Sequence, residues 1–437
     1  MALVSRMARS RIHYGWVVAA LTFVTVMIAA GARSAPGVMI VPLEQEFGWS
    51  RATISWAVGV GLLLYGLIAP FAAAIIERFG VRTMASAALA MIAGGYGLST
   101  FVTTPWSLVL LWGVLAGAGC GFTATVLSAT VATRWFEARR GLVMGMLTSA
   151  TAGGQLVFLP LLAYITAAVG WRSALGLISG IAILLILPLV LLFMRDRPFD
   201  VGLARFGSDA APEPPAPPKG NPIANAFKVL RETAVTADFW KLAATFFVCG
   251  FSTNGLIGTH LIPACIDHGI PEVRAAGLLA GMGMFNFVGT SASGWLADRY
   301  NTRYLLCTYY VLRGLSLLYL PFLLADVSFV GLSIFAMFYG LDWLATVAPM
   351  VRLTSERFGA AKTSIIYGWI FAMHQLGGAI SAGLAGVMRT ELGAYFESFL
   401  MAGAMCVAAG LLALTIGRKG SAGGRRADDM VADPARA

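Results

Sequence analysis

Apolar residues fill the chain in blocks of about 20, the length a helix needs to cross a hydrocarbon core, separated by short turns rich in Gly, Pro and charge. Twelve blocks can be drawn, at 14–41, 50–76, 83–103, 105–132, 142–168, 172–194, 239–266, 273–297, 304–324, 328–351, 363–388 and 394–416. The pattern predicts an all-α membrane protein of twelve transmembrane helices. The blocks fall six and six, and the two sets share one plan. Asp298 follows Glu77 by 221 residues, and Pro263 and Gly269 follow Pro42 and Gly48 by the same interval. Gly368, Gly377, Gly393 and Gly403 follow Gly145, Gly154, Gly170 and Gly180 by 223. A near-constant interval means duplication, and two pseudo-symmetric halves on one plan enclose one site between them.

The expected division is a six-helix half at 1–194, a Pro-rich linker at 195–238, a second six-helix half at 239–416 and a disordered tail at 417–437. The stretch 209–222 holds six prolines and reads as a semi-extended connection. Composition supports the membrane reading: 58% of residues are hydrophobic and 12% charged, against about 25% charged in soluble domains. Arg6, Arg9 and Arg11 before an apolar run, with Ala30-Gly31-Ala32 inside it, are similar to a cleaved signal. The run continues to Val41, however, and its repeat partner at 239–266 cannot be a signal peptide.

Charge sets the orientation. With the N-terminus in the cytoplasm, 25 of the 31 Lys and Arg residues fall on inner segments. Only Arg51, Arg172, Arg274 and Arg389 fall on outer loops, and Arg33 and Arg313 lie inside spans. Both termini are therefore expected in the cytoplasm of a cell whose inner membrane holds the protein, with the formal charge of +10 facing anionic lipids. The basic residues are scattered over short loops, which argues against nucleic acid as a partner. Five cysteines without paired spacing and four histidines without a metal pattern leave no metal or cofactor to expect. Gly113, Gly117 and Gly121 fit close helix packing better than a nucleotide loop.

Gly294-x-x-x-Asp298-Arg299-x-x-x-Arg303 follows the eighth block, and a degraded counterpart with Glu77, Arg78, Gly80 and Arg82 follows the second. With twelve spans in two halves, these loops resemble the major facilitator superfamily. The resemblance implies that they lock the inner side when the protein faces outward. The physical basis is a carboxylate at a helix end that pairs with an arginine and is released as the halves rock. Trp135-Phe136-Glu137-Ala138-Arg139-Arg140-Gly141-Leu142-Val143-Met144-Gly145 resembles a signature of monocarboxylate porters and oxalate/formate exchangers, and His13-Tyr14-Gly15-Trp16 resembles the start of their first helix. Members of that branch move small organic anions, with a proton or by exchange. The chain departs from the branch at Thr290, where it has an arginine, and at Asn286, where an acid often lies. Gly113 replaces an arginine of many proton-coupled facilitators, and the Gly-Pro antiporter signature of the fifth span is absent.

Polar groups inside apolar runs are candidate site residues, because hydrocarbon makes them costly. Arg33 lies nine residues before Pro42, roughly 14 Å of helix from the outer end. Asn254 holds the repeat position before Pro263. A guanidinium at mid-depth can grip a carboxylate through two parallel bonds; the bland alternative is that Arg33 snorkels outward or pairs with Glu44. His374 sits where the oxalate/formate branch has a lysine, and could bind an anion, carry a proton or bond a neighbouring helix. Arg313 and Asp342 lie at one depth on consecutive antiparallel spans and are expected to neutralise each other, with Asp342 as the alternative proton carrier. The substrate-binding set is thus Arg33, Asn254, His374 and Asn286, in a monomeric secondary carrier for a monocarboxylate-like anion. Two alternatives remain: an exporter of a larger amphipathic compound, with an aromatic-lined cavity and Arg33 turned away, and a membrane sensor. A sensor would need an output domain, which neither the N-terminal residues nor the tail reads as. No nucleophile–base or metal constellation suggests an enzyme.

Overall fold

The computed structural model describes residues 13–123, 125–208 and 222–417. Arg6, Arg9, Arg11, most of the Pro-rich stretch (209–221) and the tail from 418 lie outside the described residues. Among the described residues, twelve helices are long and apolar enough to cross a membrane. Span 1 is Gly15–Phe47, span 2 Arg51–Phe79, span 3 Val81–Phe101, span 4 Pro105–Trp135, span 5 Arg140–Val169 and span 6 Trp171–Phe193. Span 7 is Ala237–Asp267, span 8 Glu272–Arg299, span 9 Thr302–Ala325, span 10 Phe329–Phe358, span 11 Ala360–Leu392 and span 12 Phe396–Ala413. The chain is an all-α, multi-pass membrane protein. One end of the bundle carries Arg78, Arg134, Arg299 and Arg352 and is called here the basic end.

The recurring glycines have two different jobs. Gly48 and Gly269 end spans 1 and 7 with φ of +66° and +80°, a left-handed conformation that costs glycine nothing. Gly154 and Gly377 are packing positions. A Cβ on Gly154 would collide with the Met27 carbonyl oxygen of span 1, and one on Gly377 with the Phe247 carbonyl oxygen of span 7. The duplicated plan is therefore a duplicated close approach, span 5 on span 1 and span 11 on span 7.

Span 1 runs six residues past its apolar run because its terminal acids are partnered. Glu44 accepts from Arg51 Nε at 2.8 Å, and Glu46 accepts from Trp171 Nε1 and Arg172 Nη1, each at 2.7 Å. Span 10 is interrupted: helix Phe329–Asp342 gives way to a turn before helix Val347–Phe358. Spans 4, 6 and 7 contain π-helical stretches, at Val109–Ala116, Ile181–Ile186 and Phe251–Ile257.

Within the stretch read as a linker, Pro222–Thr233 is a helix. Its Phe227 packs against Phe71 of span 2 and Trp369 of span 11, at centroid distances of 5.4 and 5.6 Å, and Trp369 Nε1 donates to the Ala226 carbonyl. The helix forms because the sequence after Pro222 is free of proline and carries apolar residues on one face. The two segments similar to the monocarboxylate branch also meet. Trp16 and Phe136 pack edge to face at 5.1 Å, and Tyr14, close to Trp135, donates to the Phe193 carbonyl at 2.5 Å.

Candidate functional site

The halves meet along spans 1 and 7, 2 and 11, and 5 and 8. Between them lies a cavity with about 1160 Å³ of atom-free space, its mouth included. Arg33 of span 1 and Tyr65 of span 2 line it on one side, and Asn254 of span 7 with His374 and Gln375 of span 11 on the other. The cavity therefore draws on both repeats, as expected of a site at a repeat interface.

Arg33 lies over the Tyr65 ring, 5.2 Å from its centroid. It is half-buried, and it forms no ion pair or hydrogen bond among the described residues. Glu44, the acid that could have paired with it, is taken by Arg51. Arg33 does not turn away from the cavity; it borders both the cavity and a smaller hollow behind it, lined by Tyr65, Tyr96 and Trp112. An uncompensated guanidinium at this depth is costly without a ligand.

Asn254 sits in the π-helical stretch of span 7, where Thr259 Oγ1 donates to its carbonyl at 3.0 Å. Its side-chain Nδ2 donates to Gln375 Oε1 at 3.2 Å, an amide pair on the cavity wall. His374 is buried between rings: parallel to Phe371 at 5.7 Å and tilted on Phe246 at 4.6 Å. Its Nδ1 is buried, against the Gly250 backbone, without a hydrogen-bond partner among the described residues. Asn286 lines the cavity, but its Oδ1 is committed: it accepts from the Leu344 backbone N at 3.1 Å and from Thr290 Oγ1 at 3.0 Å. It thereby satisfies a backbone N–H in the turn that interrupts span 10. Discontinuous helices of this kind leave backbone groups next to binding sites in membrane carriers.

The structure brings Arg313 and Asp342 together. Arg313 Nε donates to Asp342 Oδ2 at 2.6 Å, and its Nη2 donates to the Asp342 and Trp343 carbonyls at 2.6 and 3.3 Å. Nη1 lies 2.9 Å from Cys249 Sγ. Arg313 is fully buried. One residue thus neutralises the acid and satisfies the carbonyls that the break in span 10 frees.

Among the described residues, the loop residues at the basic end pair with groups of their own half or of the segments that adjoin it. Glu77 accepts from Arg134 at 2.5 Å and from Arg197 at 3.2 Å. Gly80, at φ +85°, lies tight against Asp196, which accepts from the Arg82 backbone N at 2.8 Å. Arg78 stacks on Phe79. Asp298 lies 3.4 Å from Arg352, which also donates to the Ala297 carbonyl; Arg299 stacks on Trp295. Arg303 Nη2 is 3.5 Å from the Gly417 carbonyl, and Gly294 has open space beside it.

Among the described residues, the ion pair that crosses between the halves is at the opposite end. Arg51 holds Asp267 through two bonds of 2.7 Å, and Arg389 reaches the same acid at 2.8 Å. Arg51 Nη1 also approaches the Tyr395 hydroxyl at 3.3 Å. Burial pushes that hydroxyl's pKa up to about 12, so it keeps its proton and donates to His260 Nδ1 at 3.1 Å. His260 Nε2 then donates to the Ala382 carbonyl at 2.8 Å. In the sequence Arg51 and Arg389 read as outer-loop charges, and Asp267 is not singled out. The one signal was that Asp267 stands 221 residues after Glu46, another acid at a span end.

Comparison with known proteins agrees with this architecture. The family model of the Major Facilitator Superfamily matches residues 22–382, and the chain belongs to that superfamily. It is a transporter rather than an enzyme. It is 27% identical to monocarboxylate transporter 13 of Bos taurus over 405 residues, covering 92% of this chain and 89% of that one. It is 25% identical to an uncharacterized MFS-type transporter of Bacillus subtilis, covering 85% and 88%. The crystal structure of a D-xylose–proton symporter shares the fold, with a TM-score of 0.73 over 92% of this chain and 98% of that one at 13% identity.

Proposed function

We propose that the protein is a secondary carrier for an organic monoanion, working by alternating access in an inner membrane, with the basic end toward the cytoplasm. The observation that supports this most is Arg33: a guanidinium facing the cavity between the halves, without an ion partner among the described residues. A carboxylate would supply the missing charge and two acceptors in the plane of the fork. The likeness to monocarboxylate transporters points the same way. Arg33 is the anion anchor, the Asn254–Gln375 amide pair faces it from the second half, and His374 flanks that pair. Asn286 acts by holding the break in span 10.

In this reading the conformation described is closed by Arg51–Asp267 and gives access from the basic end. Glu77 and Asp298 are then paired within their own half or with the adjoining linker and, among the described residues, make no ion pair across the seam. Residues 1–194 and 239–416 act as the two moving bodies, joined by 195–238. Coupling is by proton symport or by exchange. The test is uptake of labelled organic acids into proteoliposomes, with and without a proton gradient and with and without internal substrate. Saturable uptake of monocarboxylates is expected. Transport of uncharged amphipathic compounds in their place would overturn the anion reading.

A further inference from the structure

We infer that the substrate is a carboxylate carried on an aromatic ring, with its charge on Arg33 and its ring against the aromatic wall of the second half. This rests on the anion-carrier reading above and narrows it.

The anion side is compact. Arg33 lies over Tyr65, and the hollow beside it is lined by Tyr65 and Tyr96. The hydroxyls of both tyrosines lack hydrogen-bond partners among the described residues. Arg33 and Tyr65 line both the hollow and the larger cavity, so a charged and a neutral donor border the place where the two meet. Among the described residues, no second charged side chain lines the cavity, so it matches a monoanion.

The aromatic side begins where the anion side ends. Tyr65 meets Phe371 edge to face at 5.8 Å; Phe371 stacks on His374, and His374 packs on Phe246. Tyr367 continues the wall from Phe371 at 6.4 Å, and Trp343 lines the cavity from the break in span 10. A ring attached to the carboxylate would lie within reach of several quadrupoles arranged edge to face and offset, the geometries in which aromatic rings attract one another.

Size agrees. Pockets of roughly 300–1,000 Å³ hold ligands of many atoms. A two- or three-carbon acid bound to Arg33 would leave the rings facing water. The aromatic wall alone would suit an uncharged amphipathic compound, and Arg33 alone would suit acetate. The two features adjoin in one cavity, and an aryl acid uses both.

The experiment measures binding to the purified full-length protein in detergent, by ligand-induced thermal shift and isothermal titration. The probes are acetate, phenylacetate, cyclohexylacetate and phenylacetamide. Phenylacetate is expected to bind at least about tenfold more tightly than acetate and detectably more tightly than cyclohexylacetate, which has the bulk without the π face. In Phe371→Leu, checked for monodispersity by size exclusion, the ratio of phenylacetate to acetate affinity should fall toward one. Phe246→Leu serves if Phe371→Leu does not fold. Equal affinity for acetate and phenylacetate, or for phenylacetate and cyclohexylacetate, would overturn the aromatic inference and leave the anion reading standing. Phenylacetamide binding as well as phenylacetate, or phenylacetate affinity unchanged in Arg33→Gln, would overturn the anion reading itself.

Discussion

Arg51 and Asp267 stand 216 residues apart in the chain and clasp each other through two bonds of 2.7 Å across the seam between the halves. Around the clasp, spans 2 and 11 pack backbone to backbone. A Cβ on Gly59 would lie 2.8 Å from the Ala379 carbonyl oxygen, and one on Gly386 2.8 Å from Ser55. The glycine seam carries few directional bonds; the ion pair is the strong one. Arg51→Ala should therefore shift the population toward opening at this end. Losing a charge-assisted pair of this kind is worth on the order of 2 kcal/mol, or roughly 30-fold in the ratio of states. Labelling of a cysteine at Ala52 from that side of the membrane reads the shift, and an unchanged labelling rate would show that the seam closes without the clasp.

Arg33→Lys should reduce carboxylate binding by about tenfold or more while leaving the melting temperature near wild type, because lysine keeps the charge and loses the planar fork. Asn254→Ala should cost less, about threefold, since a neutral hydrogen bond is weaker than a charge-assisted one. Titration of the purified protein measures both. Wild-type affinity in Arg33→Lys would mean that the side chain supplies charge alone.

Arg313→Met and Asp342→Leu should each destabilise the protein by about 3–5 kcal/mol, because each leaves a buried charge without its partner. The double variant should recover only part of the loss. Arg313 also donates to the Asp342 and Trp343 carbonyls, and methionine cannot. A melting series in detergent tests the non-additivity; additive losses would mean that the two residues are not energetically coupled.

Gly250→Ala should be poorly tolerated, because a Cβ there collides with the His374 carbonyl oxygen on span 11. Gly176→Ala, on a face with nothing within 4 Å, should instead stabilise the protein by about 0.5–1 kcal/mol through helix propensity. Thermal unfolding of the two variants should move in opposite directions from wild type.

The spans were legible because the thickness of a bilayer dictates the length of an apolar run, whatever lies around it. Their ends were less so. The extension of span 1 through Glu44 and Glu46 depends on Arg51 and Arg172, which only the folded chain brings near. The break in span 10 was not legible at all, since Asn286 and Arg313, from spans 8 and 9, hold it open. Arg33 stood out as a charge in an apolar run, and the repeat pointed from it to Asn254. Phe246, Tyr367 and Phe371 looked like ordinary apolar residues of a span, and nothing local marked them as one wall. The clasp between Arg51 and Asp267 pairs distant charges with no shared motif, and loop arginines carry no label saying which acid they will meet.

The unpartnered guanidinium also has an electrical consequence. With the cavity empty, Arg33 leaves one uncompensated positive charge at membrane depth; with a carboxylate bound, the sum there is zero. A membrane potential does work only on charge that moves, about 2.3 kcal/mol per elementary charge per 100 mV. A carboxylate bound alone would therefore cross without sensing the potential, whereas one that travels with a proton would cross with one positive charge, as the empty protein does. Turnover that ignores voltage would mark exchange of one anion for another, in which the protein never crosses empty, and turnover that responds to voltage would mark a cycle with an empty return.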